Sequence, residues 1–253
     1  MEGVVDAIMR EQLTAIGGYE RCVTEFVRVS QTVLPKRVFF RYAPELRYGG
    51  LTPSGVPVYL QLLGSDPELM AANAARAAGL GAPGIDLNFG CPAKTVNRSQ
   101  GGAALLRSPQ LIRLICERVR DSVSPAIPVT AKIRLGYDSD DHFDEILDAL
   151  SGVSLTEITI HARTRRQGYR PPAHWHQLKK ARQVLPYPVI ANGELWSPSI
   201  FSAARVSVVA TPSCSLAARC ADQISGLRFR RFMAARTIPI LAGKQSAICS
   251  LNF

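Results

Sequence analysis

No apolar run in this chain approaches the roughly 20 residues that a bilayer crossing requires, so nothing in it reads as a transmembrane helix. A signal peptide is missing too. "MEGVVDAIMREQLTAIGG" opens acidic and amphipathic, not basic and then apolar. Both absences point to a cytoplasmic protein. The six cysteines, Cys22, Cys91, Cys116, Cys214, Cys220 and Cys249, contain no CxxC pair, which removes the commonest signature of a zinc site. A disulfide framework is out of place in a cytosolic chain of 253 residues. Negative charge is also scarce: 20 Asp/Glu stand against 30 Lys/Arg, for a net charge of +10. Such a balance suggests a polyanionic partner. Yet residues 198–253 hold seven Lys/Arg and one Asp, or +6, which leaves +4 for residues 1–197. The charge alone is weak evidence for nucleic acid.

What is present is a regular alternation. Short β-branched runs fall at 22–27, 58–63, 84–88, 129–134, 157–162 and 188–192. Amphipathic stretches lie between several of them. "PELMAANAARAAGLG" has Asp66 placed as N-cap and Gly79 near its end. "SPQLIRLICERVRDSV" has Ser108 as cap and Pro109 in the first turn. "DDHFDEILDALSGV" follows the same logic. Strand and helix in alternation predict parallel βαβ units and an α/β fold. No Gly-rich fingerprint follows the first strand, as a doubly wound dinucleotide-binding sheet would require. Polar or reactive residues stand instead at strand C-terminal ends: Gln61, Asn88, Cys91, Lys132, His161 and Asn192. A (β/α)8 barrel places its site there, and six strands are two short of one.

Cys91 is the most telling of these. Most cysteines outside disulfides are small buried hydrophobes. Cys91, however, stands between Gly90 and Pro92 just past a strand, in "GIDLNFGCPAKTVNRSQGGAAL". A Gly-Cys-Pro turn presents its side chain to a cavity. The thiol there is either a nucleophile or a proton donor. Lys132 lies inside the apolar run "VTAKIRL". It either snorkels outward between helices or faces the barrel interior, where it needs an anion or a ligand. His161, followed by Arg163, Arg165 and Arg166, reads as an edge that anionic groups approach. Asn192-Gly193 is by itself only a turn, but loops after late barrel strands commonly hold phosphate through backbone N–H groups. Together the set fits a phosphorylated, flat, electron-accepting cofactor, and no metal-ligand spacing competes with it.

At these residues the chain resembles the tRNA-dihydrouridine synthases. The matching stretches are "MEGVVD", "TEFVRV", "QLLG", "DLNFGCPAKTVN", "GGAALL", "KIRLG", "HARTRRQGYRPPAHW" and "IANGELW", in order over residues 1–196. "TEFVRV" with "GYRPPAHW" is most similar to the C-type branch, which acts on uridine 16 of the D-loop. The resemblance implies a TIM barrel that holds FMN, reduced by NADPH. Hydride would pass to uracil C6, and Cys91 would protonate C5. Met1, Glu2, Gln61, Lys132, His161, Asn192, Gly193 and Glu194 would bind the flavin. Arg28, Asn88 and Tyr169 would meet the tRNA, and the protein would work as a monomer without metal or membrane. Two alternatives stand beside this reading: another FMN-dependent barrel reductase, and an inactive remnant that retains RNA binding.

The chain also departs from the family pattern. Family members carry a strand before "APMEGV", and this chain starts at that Met. After about residue 197 nothing matches, and the Ser-, Ala-, Arg- and Cys-rich stretch 198–253 has the composition of a GC-rich gene read out of frame. Permitted codons read from the third base give a segment like the family's eighth-strand region. The expectation is therefore a frameshift near Ser197–Pro198 and an incomplete barrel domain over 1–197, lacking the first and eighth strands. A foreign tail over 198–253 would replace the family's helical tRNA-binding domain. Low stability and weakened FMN binding would follow.

Overall fold

The computed structural model describes residues 5–195. Seven parallel strands form one sheet: β1 (Cys22–Val23), β2 (Val27–Arg28), β3 (Val58–Leu63), β4 (Ile85–Asn88), β5 (Val129–Arg134), β6 (Glu157–His161) and β7 (Val189–Asn192). The order is β1-β3-β4-β5-β6-β7, with β2 also on β3. Seven α-helices accompany them: α1 (Ala7–Ile16), α2 (Lys36–Tyr42), α3 (Pro67–Gly79), α4 (Lys94–Arg98), α5 (Pro109–Ser122), α6 (Phe143–Ser151) and α7 (His176–Val184). None of the described helices is long and apolar enough to cross a membrane.

The expected strand at 22–27 is two strands. Cys22 and Val23 pair with Val58 and Tyr59, but Val27 and Arg28 pair with Leu62 and Leu63. The first strand thus carries one residue more than its partner between the two pairings, which is a β-bulge. Thr24 fills the gap: its N–H donates to Tyr59 O at 3.0 Å, and its hydroxyl accepts from Gln61 N–H at 3.0 Å. The helix caps also divide. Asp66 Oδ1 accepts from Leu69 N–H at 2.8 Å, as a capping aspartate should. Ser108 holds the N-cap position of α5 but makes no side-chain cap bond, and α6 starts after His142, again without one.

Strand register sorts the side chains into two faces, because successive residues alternate. Leu60, Leu62, Ile85, Leu87, Val129, Ala131, Ile133, Ile158 and Ile160 share one face and are buried in the core with α3, α5 and α6. The opposite face is polar. Gln61 pairs with Asp86, Asp86 with Thr130 and Thr130 with Glu157. One step toward the strand ends, Asn88 pairs with Lys132 and Lys132 with Thr159. At the ends, Arg134 pairs with His161 and His161 with Asn192.

This polar face is concave. Arg21, just before β1, makes an ion pair with Glu157 at the start of β6. In a flat sheet those strands would lie four steps, or about 19 Å, apart, beyond the reach of one arginine. The sheet therefore curls into a barrel arc with the polar face inside. Among the described residues its edges are β1 and β2 on one side and β7 on the other.

Candidate active site

The concave face gathers the residues singled out in the sequence. Asn88 ends β4, His161 ends β6 and Asn192 ends β7, while Gln61 and Lys132 lie two residues before the ends of β3 and β5. Arg28 ends β2 and is exposed; its guanidinium donates to Ser99 Oγ at 2.5 Å. Tyr169 is 65% exposed in the loop after β6, its ring edge-on to His161 at 5.7 Å. Met1 and Glu2 lie outside the described residues, as does the stretch 198–253.

Cys91 sits in the turn beyond β4, half-buried against Phe26, Leu63 and Val96. Asn88 builds that turn. Its Oδ1 accepts from Gly90 N–H at 3.1 Å and from Cys91 N–H at 2.9 Å, the local side-chain bonding that makes asparagine a turn former. The Cys91 carbonyl is held from the other side by Asn97 Nδ2 at 3.0 Å and Ala103 N–H at 3.0 Å. Gly102 adopts φ +58°, and a Cβ there would meet Cys91 Cβ at 3.0 Å. This explains the "GGAALL" stretch: only glycine lets the following turn close so tightly on the cysteine.

Lys132 faces inward and does not snorkel. Its Nζ donates to Asn192 Oδ1 at 2.9 Å. Burial, helped by Arg134, pulls its pKa from the ordinary lysine value down to about 8, with Asp86 opposing. His161 is buried, and burial together with Arg134, Lys132 and Arg163 pushes its pKa down to about 2. It is therefore a neutral imidazole at physiological pH, a hydrogen-bonding group and not a cation.

Arg163 corrects one expectation. It is only 3% exposed and donates to Glu194 Oε2 at 2.6 Å, so its charge is already answered inside the protein. The same oxygen accepts from Ala173 N–H at 2.7 Å. Glu194 holds a left-handed φ of +61°, and Trp175 Nε1 donates to the Gly193 carbonyl at 3.0 Å. Arg163 Nε is buried without a hydrogen-bond partner.

Two further residues carry a signal in the strand pattern. Arg134 follows Lys132 by two positions, so strand period places both inside. Its Nε donates to Gly90 O at 2.9 Å and its Nη1 to Gly168 O at 2.9 Å and Thr164 O at 3.2 Å. Its guanidinium also lies 5.2 Å from the Tyr169 ring centre. One arginine thereby ties the Cys91 turn to the Tyr169 loop. Asp86 precedes Asn88 by two in the same way. It accepts from Gln61 Nε2 and from Thr130 Oγ1, each at 2.6 Å. Among the described residues no group of three or more His, Cys, Asp or Glu is placed to hold a metal ion.

The family model for dihydrouridine synthase (Dus) matches residues 1–228, past the break expected near residue 197. The chain belongs to that family. Among curated dihydrouridine synthases, it is 52% identical over 197 residues to a tRNA-dihydrouridine(16) synthase of Pseudomonas syringae pv. tomato. It is 55% identical over 198 residues to one of Vibrio cholerae. Each match covers 78% of this chain, which spans 61–62% of those relatives' length. A structural neighbour of this dihydrouridine synthase family member is histamine dehydrogenase from Rhizobium sp. 4-9, with a TM-score of 0.59. That match has 15% identity and covers 91% of this chain and 43% of the other. A likeness at that identity concerns the fold, and it agrees with a curled, parallel α/β barrel arc.

Proposed function

We propose that the chain is the catalytic part of an FMN-dependent enzyme that reduces uridine to 5,6-dihydrouridine in the tRNA D-loop, at position 16, with NADPH as reductant. The observation that carries this is the single polar face on which the Cys91 turn, the Lys132–Asn192 pair and His161 converge. Family membership supplies the reaction class, and the FMN-binding unit falls within residues 1–197.

The side chains present fit a flavin nucleotide. An ammonium has three N–H groups, and Lys132 spends one on Asn192. Arg163 Nε is buried and without a hydrogen-bond partner, while Nη2 of the same guanidinium donates to Glu194. Gly193, at φ +106°, leaves a space over His161 that a Cβ would enter at 3.3 Å. Gln61, Lys132, His161, Asn192, Gly193 and Glu194 would hold the cofactor, with Met1 and Glu2 contributing from outside the described residues. When bound and reduced, FMN supplies the hydride that adds to uracil C6.

The chain's own residues do the rest. The Cys91 S–H bond breaks as a C5–H bond forms, and solvent later returns a proton to the thiolate. Lys132, still mostly protonated at neutral pH, would hold the cofactor and stabilise negative charge on its reduced form. His161 stays neutral and orients by hydrogen bonding. Arg28, Asn88 and Tyr169 rim the same face, where a uridine flipped from the tRNA would enter.

The test is dihydrouridine formation in unmodified tRNA with FMN and NADPH present. Cys91→Ala is expected to lower the rate by about 10²–10⁴-fold, the usual weight of a general acid. Full activity in that variant would remove Cys91 from the chemistry. Flavin binding without any action on tRNA would favour another barrel reductase.

A further inference from the structure

A hydrogen-bond chain runs from the turn that holds Cys91 to a buried carboxyl group at the base of the site. Asp86 is 5% exposed, and both of its oxygens accept: Thr130 Oγ1 on one, Gln61 Nε2 on the other. Burial pushes the Asp86 carboxyl above the usual carboxylate range, with its bonds from Thr130 and Gln61 opposing, and the sense of the chain is fixed at its other end. The backbone N–H groups of Gly90 and Cys91 can only donate, so Asn88 gives them Oδ1 and turns Nδ2 to Gln61, and Gln61 turns its oxygen toward the rim and its nitrogen toward Asp86. There Gln61 Oε1 accepts from Asn88 Nδ2 at 2.8 Å. With its nitrogen so engaged, Asn88 has only Oδ1 left for Gly90 N–H and Cys91 N–H, both of which need an acceptor. Reversing either amide would set donor against donor at one end and acceptor against acceptor at the other.

We propose that Asp86 is a positioning residue for the Cys91 turn, acting through the fixed orientations of Gln61 and Asn88. Its importance for catalysis rests on the reading of Cys91 as proton donor. The geometry itself is independent of that reading and is tested without cofactor or RNA.

The test is a polarity swap. Asn88→Asp alone sets an acceptor against Gln61 Oε1. Adding Asp86→Asn restores a complete chain of opposite sense. The new amide at position 86 donates to Gln61 Oε1 and accepts from Thr130, and Gln61 Nε2 donates to the carboxylate at position 88. That carboxylate still accepts from Gly90 and Cys91. The readout is the rate at which iodoacetamide alkylates Cys91 in the folded chain, followed by peptide mass spectrometry.

Asn88→Asp is expected to loosen the turn and speed alkylation by about tenfold, the effect of one buried polar group losing its partner. The paired variant is expected to return within about twofold of the unaltered chain. Repulsion between two carboxylates would also couple these positions, so the cycle is repeated with Gln61→Met. The chain of amides requires the coupling to vanish there. Coupling that survives Gln61→Met, or effects that simply multiply, overturns the proposal. If Asn88→Asp does not fold, the paired variant decides: it must fold with Cys91 near its normal rate, and its failure to fold also overturns the proposal. A fully active Cys91→Ala would remove the acid reading and leave this result standing.

Discussion

Gly102→Ala presses directly on the Cys91 turn, and its cost can be worked from two terms. At φ +58° a residue with a Cβ pays roughly 1–2 kcal/mol for left-handed backbone. The new methyl would also lie 2.9 Å from Val96 Cγ1 and 3.0 Å from both Cys91 Cβ and Cys91 O. Overpacking of that kind adds about 1–3 kcal/mol, for a total of about 2–5 kcal/mol. Gly55→Ala isolates the first term, because Gly55 has φ +78° and nothing within 4 Å of the added Cβ. Urea denaturation of both variants gives the difference, and Cys91 alkylation in the folded state shows where the strain goes. The expected result is a Gly102 variant clearly less stable than the Gly55 variant, with altered Cys91 reactivity. Equal losses, or unchanged Cys91 reactivity, would refute the claim that this glycine is required by the cysteine turn.

Buried and exposed ion pairs should separate sharply. Arg10 and Glu45 form a buried two-pronged pair that fastens α1 to the Glu45 turn, so Glu45→Ala is expected to cost about 3–5 kcal/mol by chemical denaturation. Asp138→Ala breaks the exposed pair with Arg107 and is expected to cost under about 1 kcal/mol. The acid side of the stability profile should report His161. Its folded pKa of about 2 lies below the usual 6.5, so between those values the unfolded chain binds a proton that the folded chain refuses. Stability therefore falls as pH drops below the ordinary histidine value, with a slope up to about 1.4 kcal/mol per pH unit from this group. His161→Gln should flatten that part of the curve, and an identical slope in the variant would show that His161 is not the source.

Much of the architecture was legible because it rests on local rules. "VYLQLL" and "VTAKIR" announce buried strands, and both run over the expected residues. Asp66 before Pro67 announces a capped helix, and its carboxylate makes the bond. The 22–27 strand was less legible because a bulge depends on the partner's register, which a single strand does not record. Within the site, Cys91 stood out through its flanking glycine and proline. Lys132 stood out as a cost that needed an interior partner, and Asn192 supplies it. Arg163 misled for the converse reason: its partner Glu194 lies 31 residues on, in another loop, so the sequence showed a cation and not a neutralised pair. Asp86 and Arg134 were present in the period-two pattern of their strands, but a buried carboxylate and a buried guanidinium acquire meaning only with their partners. Those partners come from β3, β5 and the loops after β4 and β6.

The most direct test of the account is a titration of the purified chain with FMN, followed by the visible flavin absorbance, beside Lys132→Met. The account predicts saturable binding of flavin by the unaltered chain, weaker than a closed barrel would give. It also predicts affinity at least about tenfold weaker in the variant, the cost of losing a charge-assisted hydrogen bond. A chain that retains no flavin, or a Lys132→Met variant that binds it equally well, would contradict the claim that this concave polar face is a flavin site.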